Sequence, residues 1–121
     1  MGNPTGAAYI FQKENDQWVE KAKLIASDAK NQDWFGISVS TSGELAIVGA
    51  PGTDGGGSAY IFELYDEQWV QKHKLSATDA QEQDNFGIAV SISGDTAVVG
   101  AYGEDGGAGD PTSNAGAAYI Y

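Results

Sequence analysis

Residues Phe35-Gly-Ile-Ser-Val-Ser40, a Ser42-Gly43 turn and Leu45-Ala-Ile-Val-Gly-Ala-Pro51 decide the fold, because they occur twice. The second copy reads Phe86-Gly-Ile-Ala-Val-Ser91, Ser93-Gly94, then Thr96-Ala-Val-Val-Gly-Ala-Tyr102. Apolar, β-branched runs on either side of a short Gly turn predict a β-hairpin in each copy. Leu45 to Ala50 and Thr96 to Ala101 are almost wholly apolar, the pattern of a strand covered on both faces.

Working outward, the repetition spans nearly the whole chain. Tyr9-Ile10-Phe11 returns as Tyr60-Ile61-Phe62 and as Tyr119-Ile120-Tyr121, and Gln17-Trp18-Val19 returns as Gln68-Trp69-Val70. Lys23-Leu24 matches Lys74-Leu75, and Asp33-Trp34-Phe35-Gly36 matches Asp84-Asn85-Phe86-Gly87. The offset is a constant 51 until a Gly-, Asp- and Pro-rich insertion between Gly103 and Ala115, read as a lengthened surface loop, stretches the last interval to 59. Each period supplies four strand candidates: 35–40 (86–91), 45–50 (96–101), 59–62 (7–11 and 117–121) and 69–75 (18–24). Four antiparallel strands in about 50 residues, apolar inside and polar outside, predict an all-β protein built from β-propeller blades. Glycines at the ends of the inner strands suit backbones that approach closely at a propeller axis.

Composition narrows the function classes. The 121 residues carry 17 acidic and 6 basic side chains, a formal charge of −11, and all six bases are lysine. A chain without arginine clusters is not built to bind phosphate backbones, so nucleic acid and anionic membrane surfaces are not expected partners. There is no cysteine, hence no disulfide, thiolate metal site or thiol nucleophile. No apolar run is long enough to span a bilayer, and no targeting signal is visible at the N-terminus. Met1-Gly-Asn-Pro-Thr-Gly6 leads at once into a strand, which is expected of a piece of a longer chain.

Phe35-Gly36 followed by Gly49-Ala50-Pro51 resembles the FG-GAP repeat, the blade unit of integrin α-chain-like propellers, and the wording of the strands is most similar to its bacterial branch. The second copy keeps Phe86-Gly87 and Gly100-Ala101 but has Tyr102 in place of the proline. The resemblance implies a propeller of usually seven blades used as a rigid binding platform, in a parent protein that is extracellular or at the cell surface. Integrin-type blades hold calcium in an Asp-rich loop between their first and second strands. Here those loops are Thr41-Ser-Gly-Glu44 and Ile92-Ser-Gly-Asp95, so that site is not carried over.

The chain is expected to form a single repeat unit over 1–121. Residues 6–33 supply strands three and four of one blade, 34–84 a full blade, and 85–121 strands one to three of another. About two blade equivalents cannot close a propeller, and the exposed blade faces and strand edges call for completion. The expected partner is a second copy of the chain. A homo-oligomer with strands shared between chains would make six blades from a trimer or eight from a tetramer.

No catalytic constellation is present, and the expectation is a non-enzymatic structural or interaction module with no required cofactor. The alternative is a calcium-dependent module that binds a glycan or a surface protein. Its candidate oxygen ligands are Asp54, Glu104, Asp105 and Asp110 in the Gly-rich loops. His73, between Lys72 and Lys74 on an outer strand, reads as solvent-facing. Ser40, Ser42, Ser91 and Ser93 read as turn residues, and Asp33 and Asp84 as partners of connector backbone. The recurring Trp18, Trp69, Tyr9, Tyr60, Phe35 and Phe86 read as packing between blades. Trp34, whose counterpart is Asn85, is not required by the repeat.

Overall fold

Tight turns set the registers. Ser42 pairs with Leu45, and Ser93 with Thr96, around two-residue loops whose first member is Gly43 (φ 59°) or Gly94 (φ 54°). Positive φ at the first central position only is the type II′ hairpin turn, which glycine adopts without steric cost. The outer hairpins use the other primed turn. Asn15 and Asp16, and again Asp66 and Glu67, all have positive φ, between Glu14↔Gln17 and Tyr65↔Gln68.

A computed structural model describes residues 6–30, 33–53, 56–77, 85–101 and 117–121. Among them run nine strands: β1 Ala8–Glu14, β2 Gln17–Leu24, β3 Ser38–Ser42, β4 Leu45–Ala50, β5 Ser58–Tyr65, β6 Gln68–Leu75, β7 Phe86–Ser93, β8 Thr96–Ala101 and β9 Ala117–Ile120. They form three antiparallel sheets in chain order, β1-β2, β3-β4-β5-β6 and β7-β8-β9. The same bulge interrupts both outer pairs, at Ile10/Phe11 and Ile61/Phe62, so the repeat extends to local irregularities.

The middle sheet is sandwiched between the other two. Ala46, Val48 and Ala50 of β4, with Tyr60 and Phe62 of β5, pack toward Ala8 and Leu24 of the first sheet. On the opposite face, Ile47 and Ala59 pack with Phe86, Ala97, Val99 and Ala101 of the third. The apolar run of β4 is therefore buried on both faces, as its sequence predicts.

The repeated Phe-Gly pair sits where sheets meet. Phe35 is buried with its ring edge-on to Tyr60 and Phe62, at centroid distances of 5.5 and 6.1 Å. Phe86 makes the same pair of contacts with Tyr119 and Tyr121, at 5.3 and 6.2 Å. The following glycines have φ near +100° and lie so close to the neighbouring sheet that a Cβ would collide with the Ala7 carbonyl oxygen at Gly36, or that of Ser58 at Gly87. A Cβ on Gly49 would in turn strike the carbonyl of Gly87. Ala50, Pro51 and Ala101 are buried beside them, and Gly100 is half-buried.

The first strand of the middle sheet begins at Ser38 rather than at Phe35. Trp34 is in the left-handed region (φ 64°) and Ile37 N–H donates to Trp34 O (3.1 Å), so a tight turn intervenes. The equivalent turn, with Ile88 N–H donating to Asn85 O (3.1 Å), shifts the register of β7 between Phe86 and Ala89. The position thus demands a left-handed residue, which Asn tolerates and a bulky aromatic does not. Trp34 is exposed, so its ring contributes little packing in compensation. Trp34→Asn is expected to stabilise the fold by about 1 kcal/mol, read as a higher midpoint in chemical denaturation. An unchanged or lower midpoint would refute the strain argument.

Candidate interaction surfaces

The chain contains two sheet-to-sheet joints, and they are built alike. Gly6 forms an isolated parallel bridge with Phe35, and Gly57 forms the same bridge with Phe86. At the second joint the inner strands are tied by a ladder of serines. Ser38 Oγ donates to Gly87 O (2.8 Å), and Ser40 Oγ and Ser42 Oγ accept from the N–H groups of Ile92 (3.3 Å) and Gly94 (3.1 Å). The reading of Ser40 and Ser42 as turn residues is corrected by this ladder: they satisfy backbone donors of the next sheet, whose inner strand has no ladder partner on that side.

A second polar network fastens the connector after β2. The Asp28 carboxylate accepts from Tyr60 Oη (2.9 Å) and pairs with Lys74 Nζ (2.5 Å). Hydrogen bonding to Lys74, helped by that to Tyr60 and opposed by partial burial, holds the Asp28 carboxyl below the usual carboxylate range. Burial and the neighbouring Asp28 push the Tyr60 phenol well above its ordinary value. Asp33 is buried; its carboxylate accepts from Lys30 N–H (2.9 Å) and its carbonyl from Gly52 N–H (2.8 Å). It orders the connector backbone, as its sequence context predicts.

Each end of the stack presents a face whose repeat equivalent is buried inside. At the first end, Tyr9 is 53% exposed whereas Tyr60 is 0% exposed. Phe11, Trp18, Ile37 and Val39 are likewise open, while Phe62 is buried and Trp69, Ile88 and Val90 are half-buried. At the other end Val98 is 37% exposed against 0% for Ile47, and Ile120 is open where Ile61 is half-buried. Ser91 and Ser93 are exposed where Ser40 and Ser42 are half-buried. Packing between sheets therefore accounts for Phe35, Phe86, Tyr60 and Trp69, while Tyr9 and Trp18 carry the same side chains on an uncovered face.

A cavity of about 250 Å³ flanks the free edge of β1, between Ala8, Ile10 and Leu24 on one side and Val39, Ala46 and Val48 on the other. Among the described residues β1 pairs with β2 on one edge only, and β9 with β8 on one edge only. Both free edges can accept another strand.

The candidate calcium ligands Asp54, Glu104, Asp105 and Asp110, and the connector residue Asp84, lie outside the described residues. Among the described residues, no group of three His, Asp or Glu side chains could hold a metal ion. His73 is exposed on β6, opposite Ile61.

A family model described as FG-GAP repeat matches residues 18–62 and 69–121. Comparison with curated proteins gave no match. Each matched stretch runs from an outer strand through the next sheet's three inner strands, β2 to β5 and β6 to β9.

The Asp28 network makes a pH prediction. A carboxyl whose folded pKa is lowered contributes stability that is present above its unfolded value near 4 and is lost as pH falls through the folded value. Asp28→Asn should cost about 0.5 kcal/mol at neutral pH, in keeping with an exposed ion pair, and should flatten the acid limb of stability against pH. An acid limb identical to that of the parent chain would exclude the role.

Proposed function

We propose, from the premise that this chain belongs to the FG-GAP repeat family, that it is a non-enzymatic interaction module whose first partner is itself. FG-GAP repeats form β-propeller-like interaction modules, typical of extracellular or surface proteins. Among the described residues no helix is long and apolar enough to cross a membrane.

One observation carries the proposal. The faces open at the two ends, with Tyr9 and Phe11 at one and Val98 at the other, repeat the two faces of the middle sheet, Tyr60 with Phe62 and Ile47, that the internal joints cover. A second copy seating its β7–β8 end against the β1–β3 end of the first would reproduce a joint that the chain already makes with itself. The contact is heterologous, since two different faces meet, and heterologous contacts close into rings when the rotation per subunit allows. Propellers hold about four to eight blades, and the FG-GAP resemblance implies a number near seven, so chains of two blade equivalents come nearest as a trimer of six blades or a tetramer of eight.

Light scattering across a dilution series tests this. The expected mass is three or four times the 12.6 kDa of one chain. Val98→Asp, which places a carboxylate at the joint on a residue already exposed in the single chain, is expected to give a folded monomer. The joints are apolar and hydrogen-bonded, so chelation should leave the mass unchanged. A chelation-dependent mass would favour the calcium-dependent module for glycans or surface proteins, with Asp54, Glu104, Asp105 and Asp110 as its ligands. A monomeric parent chain would overturn self-assembly.

A further inference from the structure

The third strand of a blade is present twice at the ends of the stack, as β1 and as β9, and a joint between copies has room for one of them. We propose that β9 is a placeholder: when a second copy docks, its β1–β2 hairpin displaces β9 and completes the sheet as β7-β8-β1-β2. This inference rests on the self-assembly reading above and specifies its strand exchange.

Sequence match favours β1. The complete sheet uses Tyr60-Ile61-Phe62 as its third strand; β1 repeats this as Tyr9-Ile10-Phe11, whereas the C-terminal copy has Tyr121 in the last place. That hydroxyl reaches outside the blade pattern to donate to Ser76 O (3.0 Å), a contact Phe62 has no atom to make.

Pairing favours β1 as well. β9 holds β8 through four registered pairs, Val98↔Ile120 to Ala101↔Ala117, extended by the mutual hydrogen bonds of Ala97 and Tyr121. The corresponding β4–β5 pairing has six, from Leu45↔Glu63 to Ala50↔Ser58. Carried over by the repeat, these six become Thr96 to Ala101 against Gln12 to Ala7 of the second copy. Phe86 then exchanges the rings of Tyr119 and Tyr121 for those of Tyr9 and Phe11, with no loss of aromatic contact.

The opposite arrangement keeps β9 and pairs it with β2 of the second copy. It requires β1 to leave β2, which breaks seven registered pairs across a two-residue turn. It also undoes the Gly6–Phe35 bridge and lifts Ala8 from the core. Exchange of β9 leaves all of these in place.

The cavity at the free edge of β1 is where the inserted β8 would lie. Val98, the equivalent of Ile47, would fill the space between Ile10, Leu24, Val39 and Val48. The exposed hydroxyls of Ser91 and Ser93 would meet the N–H groups of Thr41 and Gly43 of the second copy, repeating the Ser40 and Ser42 ladder.

Disulfide trapping separates the two arrangements, since the chain has no cysteine of its own. Ala97 and Tyr121 form a hydrogen-bonded pair, so Thr96 and Gln12 would face each other at a non-hydrogen-bonded position, where side chains approach closely enough to bridge. On oxidation of the assembled protein, Gln12→Cys/Thr96→Cys is expected to give cross-links between chains, and Ala22→Cys/Ile120→Cys, the contact of a retained β9, none. Tyr121→Ala, which loosens β9, should shift assembly to concentrations lower by up to about tenfold.

Cross-linking of the Ala22→Cys/Ile120→Cys variant, no cross-link in either variant of an assembled protein, or weaker assembly of Tyr121→Ala would overturn the exchange and leave the ring standing. A monomeric mass of the parent chain would overturn both.

Discussion

Everything in this chain depends on how closely one sheet can approach the next. At Gly36, in the turn before β3, and at Gly87, in β7, the backbone lies against a carbonyl of the neighbouring sheet with no room for a Cβ, and Gly49 is pressed against Gly87 in the same way. Such contact requires glycine for space and, at Gly36 and Gly87, for the positive φ that turns the chain after the buried Phe. The Phe side chain then fills the volume that the glycine leaves, edge-on to two aromatic rings of the third strand. Phe and Gly are adjacent in sequence because one supplies the filling and the other the approach. The motif is a joint between sheets, and its recurrence makes the joint recur.

This constraint explains which parts of the molecule were legible from sequence. The period and the pairing of four strands follow from turn glycines and from apolar runs such as Leu45 to Ala50, whose two-sided burial is written in their composition. The role of Ser40 and Ser42 was not legible, because a serine beside a turn looks the same whether it bonds its own loop or the next sheet; only the packing of β3 on β7 distinguishes them. The signal for Trp34 was present in its counterpart. The Asn that precedes Phe-Gly in the second copy points to a left-handed residue, and Trp at that position in the first marks strain rather than indifference. The free edges of β1 and β9 could be anticipated from the strand count. The cavity beside β1 could not, since its shape depends on where the strands of the middle sheet fall.

The charge distribution fits a chain that packs on its own kind. A net charge of −11 would oppose association if it were spread evenly. Yet β3, β4, β7, β8 and β9 contain no charged residue at all. Five of the six lysines lie instead on β1, β2 and β6, at the outer edge of the sheets. These five strands thus bring no charge to a joint, and like-charge repulsion between copies would act mainly between rims, where water and salt screen it.

The proposed self-recognition needs specificity as well as adhesion, and the two unlike end faces would supply it. An apolar patch alone would accept many partners. Here one face offers two protruding aromatic rings beside a strand edge, and the other offers small β-branched side chains, a serine ladder and an edge of matching register. The ladder fixes the sliding position of one inner strand on the next, because a one-residue slip would turn the hydroxyls away from the backbone donors they satisfy. Close approach at glycine fixes the distance, since any separation wider than the internal joints leaves those donors unbonded in an apolar setting. Adhesion, register and distance are therefore set by three different groups of residues. A foreign surface would have to match all three, whereas a second copy would do so by repeating what the chain already contains.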